Sequence, residues 1–191
     1  MYQKYSTDAL VLGSREQGEA DKVFALYTRD FGLVWARASA VRSEHSKMRA
    51  ALQSCAHARV SLVRGSRGWR GAGAASIRIA RADNPKALAA FARIAELVVR
   101  LVRGEDKNEY LFETLAQAHE ALFAHTAADV ASVEIVCVAR VLYALGYLSA
   151  EALETTLFAH TAYGLPEMTE AEEKRAAFLA SINRAISETQ L

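Results

Sequence analysis

The sequence predicts an α+β protein in which a basic β-barrel precedes an all-helical half. Three observations carry this reading. Residues 1–82 contain short apolar runs punctuated by glycine and polar turns, the pattern of strands. Beyond Asp83-Asn84-Pro85 strand signals stop, and apolar residues recur at helical spacing. Charge divides at the same point: residues 1–82 hold 14 Lys/Arg against 6 Asp/Glu, and residues 83–191 hold 9 against 16. The net charge of +1 therefore conceals +8 followed by −7.

The chain has 191 residues, 52% hydrophobic and 24% charged, enough to bury a core and too apolar to be disordered. Its two prolines and ten glycines argue against long flexible linkers. Cys55 and Cys137 lie far apart among apolar neighbours and read as reduced thiols packed as small hydrophobes. Residues 1–13 lack the apolar run and cleavage site of a signal peptide. Residues 130–148 are the most apolar stretch, but Glu134 and Arg140 interrupt it, so it reads as a core helix, not a membrane span. A cytoplasmic protein is expected.

Within the first half, residues 7–13 (TDALVLG) form the first expected strand, with Gly13 a candidate bend or bulge. Residues 14–19 read as a polar connection. Residues 21–28 (DKVFALYT) form the second strand, with imperfect alternation, and Arg29-Asp30-Phe31-Gly32 turns the chain. Gly32 occupies a position calling for positive φ. Residues 33–39 (LVWARAS) return as the third strand. The period then changes: Ser43 is placed to cap a short helix within residues 43–53, with Met48, Ala51 and Leu52 on its apolar face. Residues 57–64 alternate as a strand, residues 65–73 (GSRGWRGAG) read as a glycine-rich loop, and residues 75–80 as the last strand. Three strands, a helix and two strands is the element order of an OB-fold, a five-stranded Greek-key barrel. An SH3-like barrel would lack the helix.

In the second half, Asn84 and Pro85 begin a helix over residues 86–103, with Leu88, Phe91, Ala95, Val98 and Leu101 in helical register. A second helix is expected over 108–125. A third, over 130–145, is apolar nearly all round and so central to a bundle, with Gly146 as its C-cap. Two more are expected over 150–160 and 170–188, separated by a TAYGLP break. Residues 1–82 and 83–191 thus read as two domains.

No phosphate-gripping GxxxxGK[ST] is present, and Gly71-Ala72-Gly73 lacks the βαβ context of a dinucleotide fingerprint. Asp30-Phe31-Gly32 spells a kinase motif without a catalytic loop. The histidines have no HExxH or CxxC companions, and neither metal nor cofactor is expected. No nucleophile–base pair stands out, so the reading is of a non-enzyme.

A basic barrel fits a polyanion. Arg37, Arg42, Lys47 and Arg49 cluster around the third strand and the crossing helix, and Arg64, Arg67, Trp69, Arg70 and Arg78 around the glycine-rich loop. In an OB-fold the loop joining the last two strands commonly embraces nucleic acid. Trp69 either stacks on a base, for roughly 1–3 kcal/mol, or packs on the barrel rim beside merely solvated arginines. Trp35 lies in a strand and reads as barrel core or barrel surface, not as a base platform. Neutralising about five phosphates of a single strand would give a log K against log[salt] slope of roughly −3 to −4.

Gly18-Glu19-Ala20-Asp21-Lys22-Val23, followed by Leu26-Tyr27-Thr28-Arg29-Asp30-Phe31-Gly32, resembles the N-terminal signature of the bacterial recombination mediator family RecO. Ser46-Lys47-Met48-Arg49-Ala50-Ala51-Leu52 extends the resemblance, and Leu142 to Leu148 adds a weaker match. The resemblance implies an OB-fold followed by a helical domain. It also implies binding and annealing of single- and double-stranded DNA, and recombinase loading on strands coated by single-strand-binding protein. The implied partners are RecR and the tail of single-strand-binding protein, and the implied location is nucleoid-associated cytoplasm. A helical-domain site with basic residues such as Arg100, Arg103 or Arg140 is a candidate place for such a tail. Many family members carry a four-cysteine zinc module after the central helix; residues 149–168 contain no cysteine, so zinc is not expected here. The alternatives are a protein-interaction adaptor and an RNA-binding OB-fold protein without annealing activity.

Overall fold

The computed structural model describes residues 3–43, 46–80, 83–124 and 129–189. Five strands close into a barrel in the order β1-β2-β3-β5-β4, which is the OB-fold order. The strands are β1 (Lys4–Gln17), β2 (Asp21–Thr28), β3 (Gly32–Ala38), β4 (His57–Gly65) and β5 (Gly68–Arg78). The pairings are antiparallel except β3 with β5, which run parallel at Ala36–Trp69 and Arg37–Arg70. Gly13 does mark a bulge: the β1–β2 register shifts between Val11 and Gly13.

Two expectations are corrected here. Residues 14–17 are not a connection; they continue β1 into a long hairpin, pairing as far as Gln17–Asp21. Their side chains are exposed, so polarity there reports solvent and not a loop. Likewise the 65–73 stretch is mostly strand, with ladder pairs at Gly65–Gly68, Leu62–Gly71 and Ser61–Gly73. Ladder hydrogen bonds use backbone groups, so tertiary pairing overrides the low strand propensity of glycine.

Helix α1 (Met48–Ala51) is a single turn, preceded by Lys47 with no side-chain cap, not capped by Ser43. The rest of that expectation, at residues 44 and 45, lies outside the described residues. Ala51 and Leu52 are nevertheless buried, and Met48 packs against the barrel interior. That interior is filled by Ala9, Val11, Phe24, Leu26, Val34, Ala36, Ala58, Val60, Leu62 and Trp69.

The helical half contains α2 (Pro85–Leu101), α3 (Glu109–Phe123), α4 (Val130–Ala144), α5 (Ala150–Leu153), α6 (Leu165–Glu173) and α7 (Arg175–Glu188). Asn84, Asn108 and Asp129 cap α2, α3 and α4 by accepting a backbone N–H in the first turn. Gly146, at φ 81, closes α4. Helix α4 packs against α2, α3, α6 and α7, the central place its all-round apolar character requires. The expected 150–160 helix is one turn, ended by Glu154 in the left-handed region. The expected 170–188 helix is two, broken at Lys174. No helix among the described residues is long and apolar enough to cross a membrane.

Barrel and helices share one core. Leu10, Ala25, Tyr27, Leu33 and Cys55 of the barrel pack with Ala87, Phe91, Ile94, Val98, Leu111, Phe112, Leu115 and Cys137 of the helices. This explains the poor alternation of β2. Ala25 and Tyr27 face the helices, and Phe24 and Leu26 face the barrel interior, so both faces are apolar there. Both cysteines are buried in this core, and burial pushes the Cys137 thiol up to about 12.

The seam is also polar. Buried His119 of α3 donates from Nε2 to the Cys55 carbonyl at 2.7 Å, and its Nδ1 has no partner among the described residues. Its ring sits among Phe91, Phe123 and His57. Arg29 pairs with Glu113 and lies 4.4 Å from the Phe112 ring centroid. Arg78 meets Glu120 at 2.8 Å, and Arg64 meets Glu105 at 3.1 Å.

Two outcomes follow from this seam. Gly32 sits at φ +62, and a Cβ there would lie 2.2 Å from the Asp106 carbonyl oxygen. Gly32→Ala is expected to destabilise the chain by on the order of 2–4 kcal/mol, read as a lowered thermal midpoint. His119 is the second. Burial, ahead of its neighbours' charges, lowers its pKa from 6.5 to about 4. The unfolded chain therefore takes up the proton first. Stability is complete above about pH 6.5 and falls towards pH 4, by at most roughly 1.4 kcal/mol per pH unit for this group. His119→Gln retains an amide donor and does not titrate, so chemical denaturation between pH 7.5 and 5 should show a flatter profile than wild type.

Candidate nucleic-acid interface

The outer face of the barrel is read most clearly in rows of directly paired residues, which point to the same side. The row Leu10–Tyr27–Leu33 is buried under the helices. The next row, Gly13–Ala25–Trp35, marks a boundary: Ala25 is still buried, whereas Trp35 is 46% exposed. The third row is open. It runs Arg15–Val23–Arg37–Arg70 across β1, β2, β3 and β5, with all three arginines exposed around an apolar Val23. At about 4.8 Å per strand the row is roughly 14 Å long.

These residues line one groove of about 560 Å³. Its floor includes Val23 and Val63; the β4–β5 turn, with Arg67 exposed at its tip, closes one side. Arg15, Arg37, Arg67 and Arg70 all line it, and no carboxylate does among the described residues. The guanidinium of Arg15 lies over the Trp35 ring, 5.7 Å from its centroid. Arg37 is oriented from the groove edge by Asp21, whose Oδ2 accepts from Nε at 2.9 Å and Nη2 at 2.6 Å. Asp21 also accepts the Ala40 N–H, and this bond and then Arg37 hold its carboxyl below the usual range. Asp21 is thus a bracket for the β3 exit as well as for Arg37.

The structure gathers three of the expected arginines, Arg37, Arg67 and Arg70, and adds Arg15 and Trp35. Arg42, Lys47 and Arg49 do not line the groove. Arg42 pairs with Glu16 at 3.2 Å, and Lys47 and Arg49 stand exposed on or beside α1. Arg64 is engaged at the seam by Glu105 and stacks over Trp69, 5.1 Å from that ring's centroid.

Trp69 is the clear correction. It is 4% exposed, with its ring in edge contact with Tyr5, at 5.6 Å between centroids, and tilted against Phe31 at 5.0 Å. It has no free face to offer a base and plugs the barrel. The exposed tryptophan is Trp35. The signal for it was present in β3: Trp35 and Arg37 alternate with buried Val34, Ala36 and Ala38.

The N-terminal model of recombination protein O matches residues 1–78, and its C-terminal model matches residues 82–149. The chain belongs to the RecO family. Curated relatives named DNA repair protein RecO agree with this. Those of Desulfitobacterium hafniense and Heliobacterium modesticaldum are 41% and 43% identical over 61 residues, which is 32% of this chain and 22% of each relative. That of Pelotomaculum thermopropionicum is 41% identical over 61 residues, 24% of its length. The aligned stretch therefore spans less than a quarter of each RecO relative.

The zinc module of many RecO proteins does not fit the donors present. Residues 149–168 have no cysteine, and no group of three or more His, Cys, Asp or Glu gathers to hold a metal among the described residues. The connection after α4 is organised instead by Arg140. This fully buried side chain donates to the Leu157 carbonyl at 2.8 Å and the Ala162 carbonyl at 2.7 Å, and lies 4.7 Å from the Tyr163 ring centroid. Arg140 is therefore not available to a protein tail, whereas Arg100 and Arg103 are exposed.

Because Trp69 is a plug, Trp69→Ala is expected to lower stability by about 3–5 kcal/mol. Denaturant unfolding checks this.

Proposed function

We propose that the chain is a DNA-binding mediator of recombinational repair, and that its barrel, residues 1–82, holds single-stranded DNA along the Arg15–Arg37–Arg70 row. The observation that carries the proposal is that row. Arg37 and Arg70 are directly paired on adjacent strands, an arrangement that destabilises a sheet unless an anion relieves it. Asp21 partly relieves Arg37. Arg67 and Arg70 have no ion-pair partner among the described residues and face an open groove. Phosphates supply the missing charge. In OB-folds the face of strands 2 and 3, with the β1–β2 and β4–β5 loops, is where oligonucleotides bind, and this groove occupies that region.

The work proposed is binding, with no covalent step. Strands neutralised by arginine repel each other less, which favours annealing, and duplex is held through the same phosphate contacts. The helical half, residues 83–191, would then meet the protein partners implied by family membership, RecR and the tail of single-strand-binding protein, and so assist recombinase loading. Membership in a repair and recombination family supports this division of labour.

Fluorescence anisotropy of a labelled single-stranded oligodeoxynucleotide tests the reading. With four guanidiniums on the path, log K should fall with log[salt] at a slope of about −3 between 50 and 200 mM salt. Arg37→Ala and Arg70→Ala should each weaken binding and reduce that slope by about 1. A salt-independent affinity would sink the proposal, and displacement by RNA at lower concentration than by DNA would reassign the ligand.

A further inference from the structure

We infer that Trp35 is a single-base stacking platform that makes the groove prefer an unpaired strand over a duplex. This inference rests on the nucleic-acid reading of the groove and adds to it a residue and a selectivity.

Two features of the residue point there. Trp35 is a large apolar side chain left 46% exposed at the edge of the helical cover, beside a row whose other exposed members are arginines. The helices bury Leu33, two residues back on the same strand and the same face, and stop short of Trp35. Burying the indole in the same way would stabilise the chain; left uncovered, its face is available to a ligand. Its setting is also specific. Arg15 lies over the ring at 5.7 Å, and Arg37 is two residues along β3, about 6.7 Å away on the same face. An aromatic surface flanked by guanidiniums matches a base flanked by its phosphates. The bases of a duplex are stacked on one another and present no free face, so a duplex can use the arginines and not Trp35. Annealing would therefore remove the stacking contact and leave the product held by phosphate contacts alone, which favours its release.

The chain contains two tryptophans, and Trp69 is 4% exposed. Tryptophan emission that responds to acrylamide thus reports chiefly on Trp35. The full chain titrated with an unlabelled poly-dT oligonucleotide should show quenching and protection from acrylamide; the same length of blunt duplex should not. In parallel anisotropy titrations, Trp35→Ala should weaken single-strand binding by about 5- to 160-fold and leave duplex binding within about twofold. The salt slope should stay unchanged, because no charge is lost, and Trp35→Phe should recover part of the affinity. Wild-type thermal midpoints for these surface variants exclude unfolding as the cause. If Trp35→Ala binds single strands as wild type does while Arg70→Ala does not, the platform is overturned and the groove stands. Equal loss on single strand and duplex also overturns it. If wild type binds no single strand at all, both readings fall.

Discussion

The burial of the Leu10–Tyr27–Leu33 row beneath α2 and α3 is the contact on which the rest of this structure depends. A closed barrel of five strands has an interior of its own, and here Val11, Phe24, Leu26, Val34 and Trp69 fill it. It also has an outer wall, and one end of that wall is as apolar as the interior. Removing this end from water requires the helices, and the helices in turn use it to complete their own core around Phe91, Ile94, Leu111 and Phe112. The two halves share one hydrophobic core at this seam. The ion pairs there, Arg29–Glu113, Arg78–Glu120 and Arg64–Glu105, are partly exposed and contribute register more than strength.

The same contact decides which part of the barrel stays open. Helical cover ends at Ala25, so the next positions outward, Trp35 and the Arg15–Arg37–Arg70 row, are left facing solvent. The charge asymmetry of the chain acquires a double meaning. Part of the barrel's positive charge is neutralised within the molecule, by acids of the helical half and by Asp8, Glu16 and Asp21 of the barrel itself. What has no ion-pair partner at the groove among the described residues, Arg67 and Arg70 above all, is the part the proposed polyanion would use. Net charge by half points to the class of partner proposed, and local pairing points to the place proposed for it.

Much of this was legible in the chain. β2 was read to the residue, Gly13 as a bulge and Gly32 as a positive-φ turn, because each depends on local backbone chemistry. Asn84 and Pro85 announced α2 for the same reason. The failures share another cause. The 65–73 glycines looked like a loop because glycine has little intrinsic strand preference, yet pairing with β4 holds them in β5. Polar residues 14–17 looked like a connection because strand β1 runs there without cover on either side. The 150–160 segment looked helical, but Arg140 and Glu170 draw its backbone and its threonines into other bonds. The two tryptophans exchanged roles: Trp69, expected on a loop, plugs the barrel, and Trp35, left undecided between core and surface, is the one exposed.

By itself, the sequence determined the fold class, the element order of the barrel, the caps at Asn84 and Gly146, the tight turn at Gly32, and the sign of the charge on each half. These follow from dihedral preference, hydrophobic period and composition, all of which act between near neighbours. Only the tertiary structure decided which arginines share a groove, which are already paired, and which aromatic ring is free. Those answers depend on strand register and on where the helical cover ends. Register brings Arg15, Arg37 and Arg70 into one row across four strands although 22 and 33 positions separate them in the chain, and no local preference encodes a neighbour at that distance.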